Sequence, residues 1–116
     1  MKSNVLELKV VGFLGLAVLL LAAGPTFAGG NVVAGESKAA VCFTCHGAAG
    51  NAPLTPEYPK LAGQYASYLE NALRDYKRGA RKNPIMAGQV ENLKNEDIAD
   101  LAAYFAEQSS ALTVKY

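Results

Sequence analysis

Cys42-Phe43-Thr44-Cys45-His46 gathers both cysteines and the one histidine of a 116-residue chain into five positions. Two thiols at this spacing can each add to a vinyl group of one haem. The imidazole that follows directly can then lie under the iron as an axial ligand. Three other chemistries use some of these residues. A thioredoxin-like redox pair needs a βαβ context that this chain lacks. A structural zinc site needs four ligands, and no second Cys/His pair is present. A plain disulfide leaves His46 without a role. Covalent haem attachment uses all three side chains and is the expected chemistry.

The second axial position decides what such a group could do. With no second histidine, this chain cannot supply bis-histidine ligation. Apart from Met1, the one methionine is Met86, which follows Asn83-Pro84-Ile85. A thioether here could reach the distal face of the iron, raising its potential and closing it to small molecules. The competing expectations are a core-filling methionine and an open or lysine-ligated iron, which would favour gas binding or catalysis.

Hydrophobic residues make up 51% of the chain, and part of that fraction belongs to a leader rather than a core. Lys2 and Lys9 flank a polar start, and a 14-residue apolar run extends from Val10 to Ala23. That length suits a signal-peptide core and is short for a membrane span. Gly24-Pro25 ends the run, and Thr26-Phe27-Ala28 places small residues where a signal peptidase reads, so cleavage is expected after Ala28. An uncleaved membrane anchor is the alternative. Residues 29–116 then form one small domain carrying nine cationic and nine anionic side chains. Two ionised haem propionates would make it mildly acidic, and nothing resembles the basic footprint of a nucleic-acid binder. A domain this short builds a modest core and usually needs a staple, which covalent haem would supply.

The elements that position these residues read as helices. Val32 to Val41, rich in alanine and alternating charge, suggests a short helix leading into the motif. Gly35 inside it costs about 1 kcal/mol relative to alanine; either another backbone passes close there or the helix start frays. Residues 47–59, with Gly47, Gly50, Pro53, Pro56 and Pro59, read as an irregular loop. Tyr65, Tyr68, Leu69, Ala72, Leu73 and Tyr76 recur at helical spacing, with Gly79 as a stop. The tyrosine stripe is expected to pack around the haem pocket without a catalytic role. Residues 79–93 read as a loop carrying Met86. A last helix opens at Asn95 as N-cap, with Glu96 and Asp97 in its first turn. Its apolar stripe is Ile98, Leu101, Ala102 and Phe105, and its end lies near Gln108. The expected class is all-α: three main helices and loops, with no β pattern and no internal repeat.

Four stretches together resemble a known family, the small class I c-type cytochromes, and within it the bacterial cytochrome c553/cytochrome c4 group. They are residues 39–47 around the cysteine motif, Pro59-Lys60-Leu61-Ala62-Gly63-Gln64, Arg81-Lys82-Asn83-Pro84-Ile85-Met86, and residues 97–105. The resemblance implies the class I cytochrome c fold wrapped around one covalent haem c. It also implies thioether links at Cys42 and Cys45, proximal His46 and distal Met86 on the iron. The carbonyl of Pro59 would accept a hydrogen bond from the imidazole, and Leu61 would pack against the haem. The family's terminal helices cross, which would bring Gly35 to the Tyr104/Phe105 helix. Cytochrome c4 carries two such domains, so this chain resembles one half of it or a single-haem c553.

The function this implies is one-electron transfer in the periplasm between redox protein partners, with no substrate transformed and so no enzyme activity of its own. A terminal oxidase or a dehydrogenase is the kind of partner expected, with no nucleic acid and no stable membrane insertion after cleavage. A haem subunit of a larger oxidoreductase is one alternative; a haem sensor or peroxidase with an open distal site is another. Arg74, Lys77, Arg78, Arg81 and Lys82 place five cations in nine residues against Asp75. They read either as a docking rim for an acidic partner or a propionate, or as a solvated helix end whose charge suits the dipole.

Overall fold

A computed structural model describes residues 29–110. The expected signal segment, its cleavage site and the last six residues of the expected domain lie outside the described residues. The described residues form four α-helices and no strands: α1 (Val32–His46), α2 (Ala66–Lys77), α3 (Pro84–Val90) and α4 (Asn95–Glu107). None of these helices is long and apolar enough to cross a membrane.

Helix α1 is longer than the sequence reading gave it, because it carries the whole Cys42–His46 motif as its last turns. Asn31 starts it, its side chain accepting the Ala34 N–H at 3.0 Å. Far from fraying, this first turn is pressed against α4. A Cβ on Gly35 would stand 2.1 Å from the Asp100 carbonyl oxygen and 2.7 Å from the Tyr104 Cβ. Glycine therefore offsets its helix cost by letting two backbones touch. The contact is pinned electrostatically: Lys38 Nζ lies 2.6 Å from Asp100 Oδ2 and 2.8 Å from Asp97 Oδ1. Asp100, 4% exposed, also accepts the Asn31 N–H at 2.7 Å.

The core lies where α1 crosses α4 and α2 closes the side. Ala39 from α1, Leu69 from α2 and Leu101, Ala102, Tyr104 and Phe105 from α4 form one buried cluster. Phe43 joins it with its ring centroid 6.2 Å from those of Tyr104 and Phe105, edge-on to the latter.

Two local expectations need correction, and a third is refined. Residues 84–90 are a short helix rather than loop, because Asn83 caps it and Pro84 supplies its fixed φ in the first turn. Helix α4 is capped by Lys94 rather than Asn95, since the Asp97 carboxylate accepts the Lys94 N–H at 2.8 Å. The expected stripe of α2 divides: Leu69 is buried and Leu73 packs on the core, while Tyr65 and Tyr68 are about half exposed. A phenol has a polar tip that seeks a partner, and the Tyr68 hydroxyl accepts from Arg81 at 3.4 Å.

Candidate functional site

Cys42, Cys45 and His46 stand at i, i+3 and i+4 on α1, so the helix turns all three side chains to one flank. The chain then leaves helical geometry sharply. Gly47 has φ +79°, and a Cβ there would sit 1.9 Å from the Ala52 carbonyl oxygen. Only glycine adopts this turn without strain. The loop folds back along the helix end, where the Leu54 N–H donates to the Cys45 carbonyl at 3.0 Å.

That return brings Pro59 to the histidine. His46 is 7% exposed, and its Nδ1 lies 2.8 Å from the Pro59 carbonyl oxygen. A carbonyl only accepts, so Nδ1 carries the proton and Nε2 keeps its lone pair as the basic, metal-binding nitrogen. Tyr58 packs edge-on to the imidazole with centroids 6.0 Å apart. Its electrostatic interaction and then its hydrogen bond with the neighbouring Cys45 sulfur push the Tyr58 hydroxyl up. Tyr58 is a residue that periodicity gave no reason to single out; its place directly before Pro59 was the available signal.

Both thiols are free and half-buried. Burial pushes the Cys42 thiol up. Among the described residues no three His, Cys, Asp or Glu side chains gather as a metal cage. The donor set is thus one oriented imidazole beside two unpaired thiols on the same helix flank. It fits a haem held through its vinyl groups and coordinated from one side.

The remaining expected residues lie on other segments. Leu61 is partly buried against the core, and its N–H donates to the Gly50 carbonyl at 2.8 Å. Met86 sits half-buried in the first turn of α3, where Asn83 Oδ1 accepts the N–H groups of both Ile85 and Met86 at 3.0 Å. Of the cationic cluster, four members have partners within the chain. Arg74 meets Asn95 and Glu70, and Lys77 donates to the Glu91 carbonyl. Arg78 pairs with Asp75, and Arg81 lies over the Tyr76 ring. The Arg74–Asn95, Lys77–Glu91 and Arg81–Tyr76 contacts tie α2 to its neighbours, which is a structural use of charges that the sequence left open to docking.

Comparison with known proteins agrees with this geometry. The family model described as cytochrome c matches residues 32–109. Cytochrome c4 of Pseudomonas aeruginosa is 48% identical over 100 residues, covering 84% of this chain and 49% of its own length. Cytochrome c-554(548) of Halomonas halodenitrificans is 44% identical over 82 residues, covering 68% of this chain and 98% of its own. A cytochrome subunit of sulfide dehydrogenase from Chlorobaculum tepidum is 33% identical, with 96% of its length covered. The crystal structure of reduced recombinant cytochrome c4 from Pseudomonas stutzeri superposes with a TM-score of 0.67 at 40% identity, over 72% of this chain and 48% of that one. The chain spans about half the length of the cytochrome c4 relatives it matches. With its helices crossing at Gly35 and its C-x-x-C-H run on the flank of α1, the chain belongs to the cytochrome c family, whose members bind haem c covalently and transfer electrons.

Proposed function

We propose that this chain is an exported, periplasmic electron carrier of one domain, residues 29–116, that holds one haem through Cys42 and Cys45, with His46 and Met86 as axial ligands. The observation that carries the reading is the buried imidazole whose Nδ1 donates to the Pro59 carbonyl. That hydrogen bond fixes the tautomer, aims Nε2 away from the loop and raises its basicity. Bound haem supplies an iron that takes up and releases one electron. Cys42 and Cys45 anchor the group on the α1 flank, so it cannot dissociate between partners. Leu61 and the α1–α4 core keep water from the proximal side. Met86 would supply a soft sulfur, which would favour the reduced state and keep the iron from substrates. Held by the same residues throughout, the group would need little rearrangement of the chain to exchange an electron.

Expression with a haem-maturation system, followed by a visible and near-infrared spectrum, tests the reading. The expected result is a covalent c-type spectrum with the weak sulfur-to-iron charge-transfer band, lost in Met86→Ala. Covalent haem without that band refutes the Met86 assignment; no covalent haem refutes the whole reading.

A second reading has its own support. The relative named as a cytochrome subunit of sulfide dehydrogenase is matched over nearly its full length, which favours a haem subunit within a larger oxidoreductase. Purification from the native host separates the two: a stoichiometric flavin- or metal-containing partner means subunit, and a lone haem protein means free carrier.

A further inference from the structure

Helix α3 has seven residues, and only Val90 at its end is buried. A helix so short has little intrinsic stability in water, and one buried residue adds modest packing. Polar clips to α2 account for its place. At its C-terminal end the Lys77 ammonium donates to the Glu91 carbonyl at 2.7 Å. At its N-terminal end Arg81 returns to α2 in three ways. Its N–H donates to the Asp75 carbonyl at 3.1 Å. Its guanidinium carbon lies 4.9 Å from the Tyr76 ring centroid, and its Nη1 donates to the Tyr68 hydroxyl at 3.4 Å. Two residues later Asn83 Oδ1 takes the N–H groups of Ile85 and Met86. The Met86 backbone is therefore held by a cap, and the cap stands on a segment held by one arginine.

We propose that Arg81 and Asn83 are positioning residues for Met86: they hold the first turn of α3 against α2 and so set how often the methionine sulfur leaves the iron. This rests on the ligation by Met86 proposed above. It also gives Arg81, one member of the cationic cluster, a purpose that needs no partner protein. Arg78, whose side chain is 70% exposed and pairs with Asp75, has no such part.

The test is competition by imidazole on the ferric, haem-loaded protein at fixed neutral pH, followed by loss of the sulfur-to-iron band. A competitor enters only when the sulfur is away, so its apparent affinity scales with that open fraction. Asn83→Ala and Arg81→Ala are each expected to raise apparent imidazole affinity about tenfold, the scale of a lost cap or a lost cation–π contact. Asn83→Ser, which can still cap, and Arg81→Lys, which keeps a cation over Tyr76, should return most and part of the wild-type value. Arg78→Ala should leave it unchanged. If the alanine variants do not load haem, the ordering wild type, Asn83→Ser, Asn83→Gly carries the same expectation on a smaller scale. Affinities equal across the series, or an equal rise in Arg78→Ala, overturn the proposal while leaving Met86 ligation standing. A wild type without the band removes the ligation and this inference with it.

Discussion

Gly35→Ala sets two effects of opposite sign against each other. In an isolated helix the change would stabilise by about 1 kcal/mol. Here the new methyl would stand 2.1 Å from the Asp100 carbonyl oxygen, where ordinary contact begins at 3.4 Å. Helix α1 must therefore withdraw from α4 by roughly 1 Å, because the opposing atom is backbone in mid-helix and cannot swing aside. A gap of that size forfeits about a quarter to a half of each contact's attraction. It falls on Ala39 and on the Phe43 ring against Tyr104 and Phe105. Overpacking of this kind costs about 1–3 kcal/mol, and weakening two aromatic pairs costs about 1 kcal/mol more. After the helix gain is set against them, a net loss of roughly 2 kcal/mol remains. Chemical denaturation of the haem-loaded protein, followed by far-ultraviolet circular dichroism, measures it as a lower midpoint at unchanged slope. A Gly35→Ala variant as stable as wild type, or more so, would refute the close crossing as the reason for this glycine.

Three further outcomes follow from the same contacts. Gly88→Ala, in α3 with nothing within 4 Å of the added carbon, should raise the denaturation midpoint by about 0.5–1 kcal/mol equivalent; a loss would mean that the site is occupied in the folded protein. Asn31→Ala removes the α1 cap and should cost about 1 kcal/mol by the same assay, whereas Asn31→Asp should cost little. Lys38 holds the Asp100 and Asp97 carboxyls below their ordinary value of 3.8, by hydrogen bonding first. Depressed carboxyls stabilise the fold above the unfolded value and lose that contribution as pH falls through the folded one. The stability difference between wild type and Lys38→Met should thus be full at neutral pH and shrink below about pH 4. A difference constant down to pH 2 in a pH-dependent denaturation series would rule out this ion-pair account.

What the sequence made legible depended on whether the cause was local in the chain. The candidate site was readable because its chemistry sits in five consecutive residues, and α4 was readable because Ile98, Leu101, Ala102 and Phe105 keep a helical period with a buried face. Helix α3 was missed because one buried residue, Val90, makes no period. Its signal was instead Asn83-Pro84, a cap followed by a residue with pre-set φ. On α2 the period put Leu69 and Leu73 on the core and left Tyr65 and Tyr68 half exposed. Period says which side chains share a face; it does not say how far the tip of an amphipathic tyrosine lies from water. The Arg74–Lys82 cluster needed three dimensions outright, since charge count cannot tell a cation awaiting a partner protein from one already stacked on Tyr76.

The two flanks of the proposed haem site are built by different means, and that difference bears on how a carrier works. His46 ends a fifteen-residue helix whose start is locked to α4 by Gly35, Lys38 and Asp100, and whose end is fixed by the Gly47 turn and Pro59. Displacing the imidazole means disturbing the core. Met86 rides on a seven-residue helix held by buried Val90 and by one arginine, one asparagine and one lysine at the surface. Displacing the sulfur means breaking polar contacts worth about 1 kcal/mol each. The proximal side is therefore set by packing and the distal side by exposed clips that mutation, salt or a docking protein can reach. Under the proposed ligation, the residue that would tune the potential is held in part by contacts that lie outside the buried core.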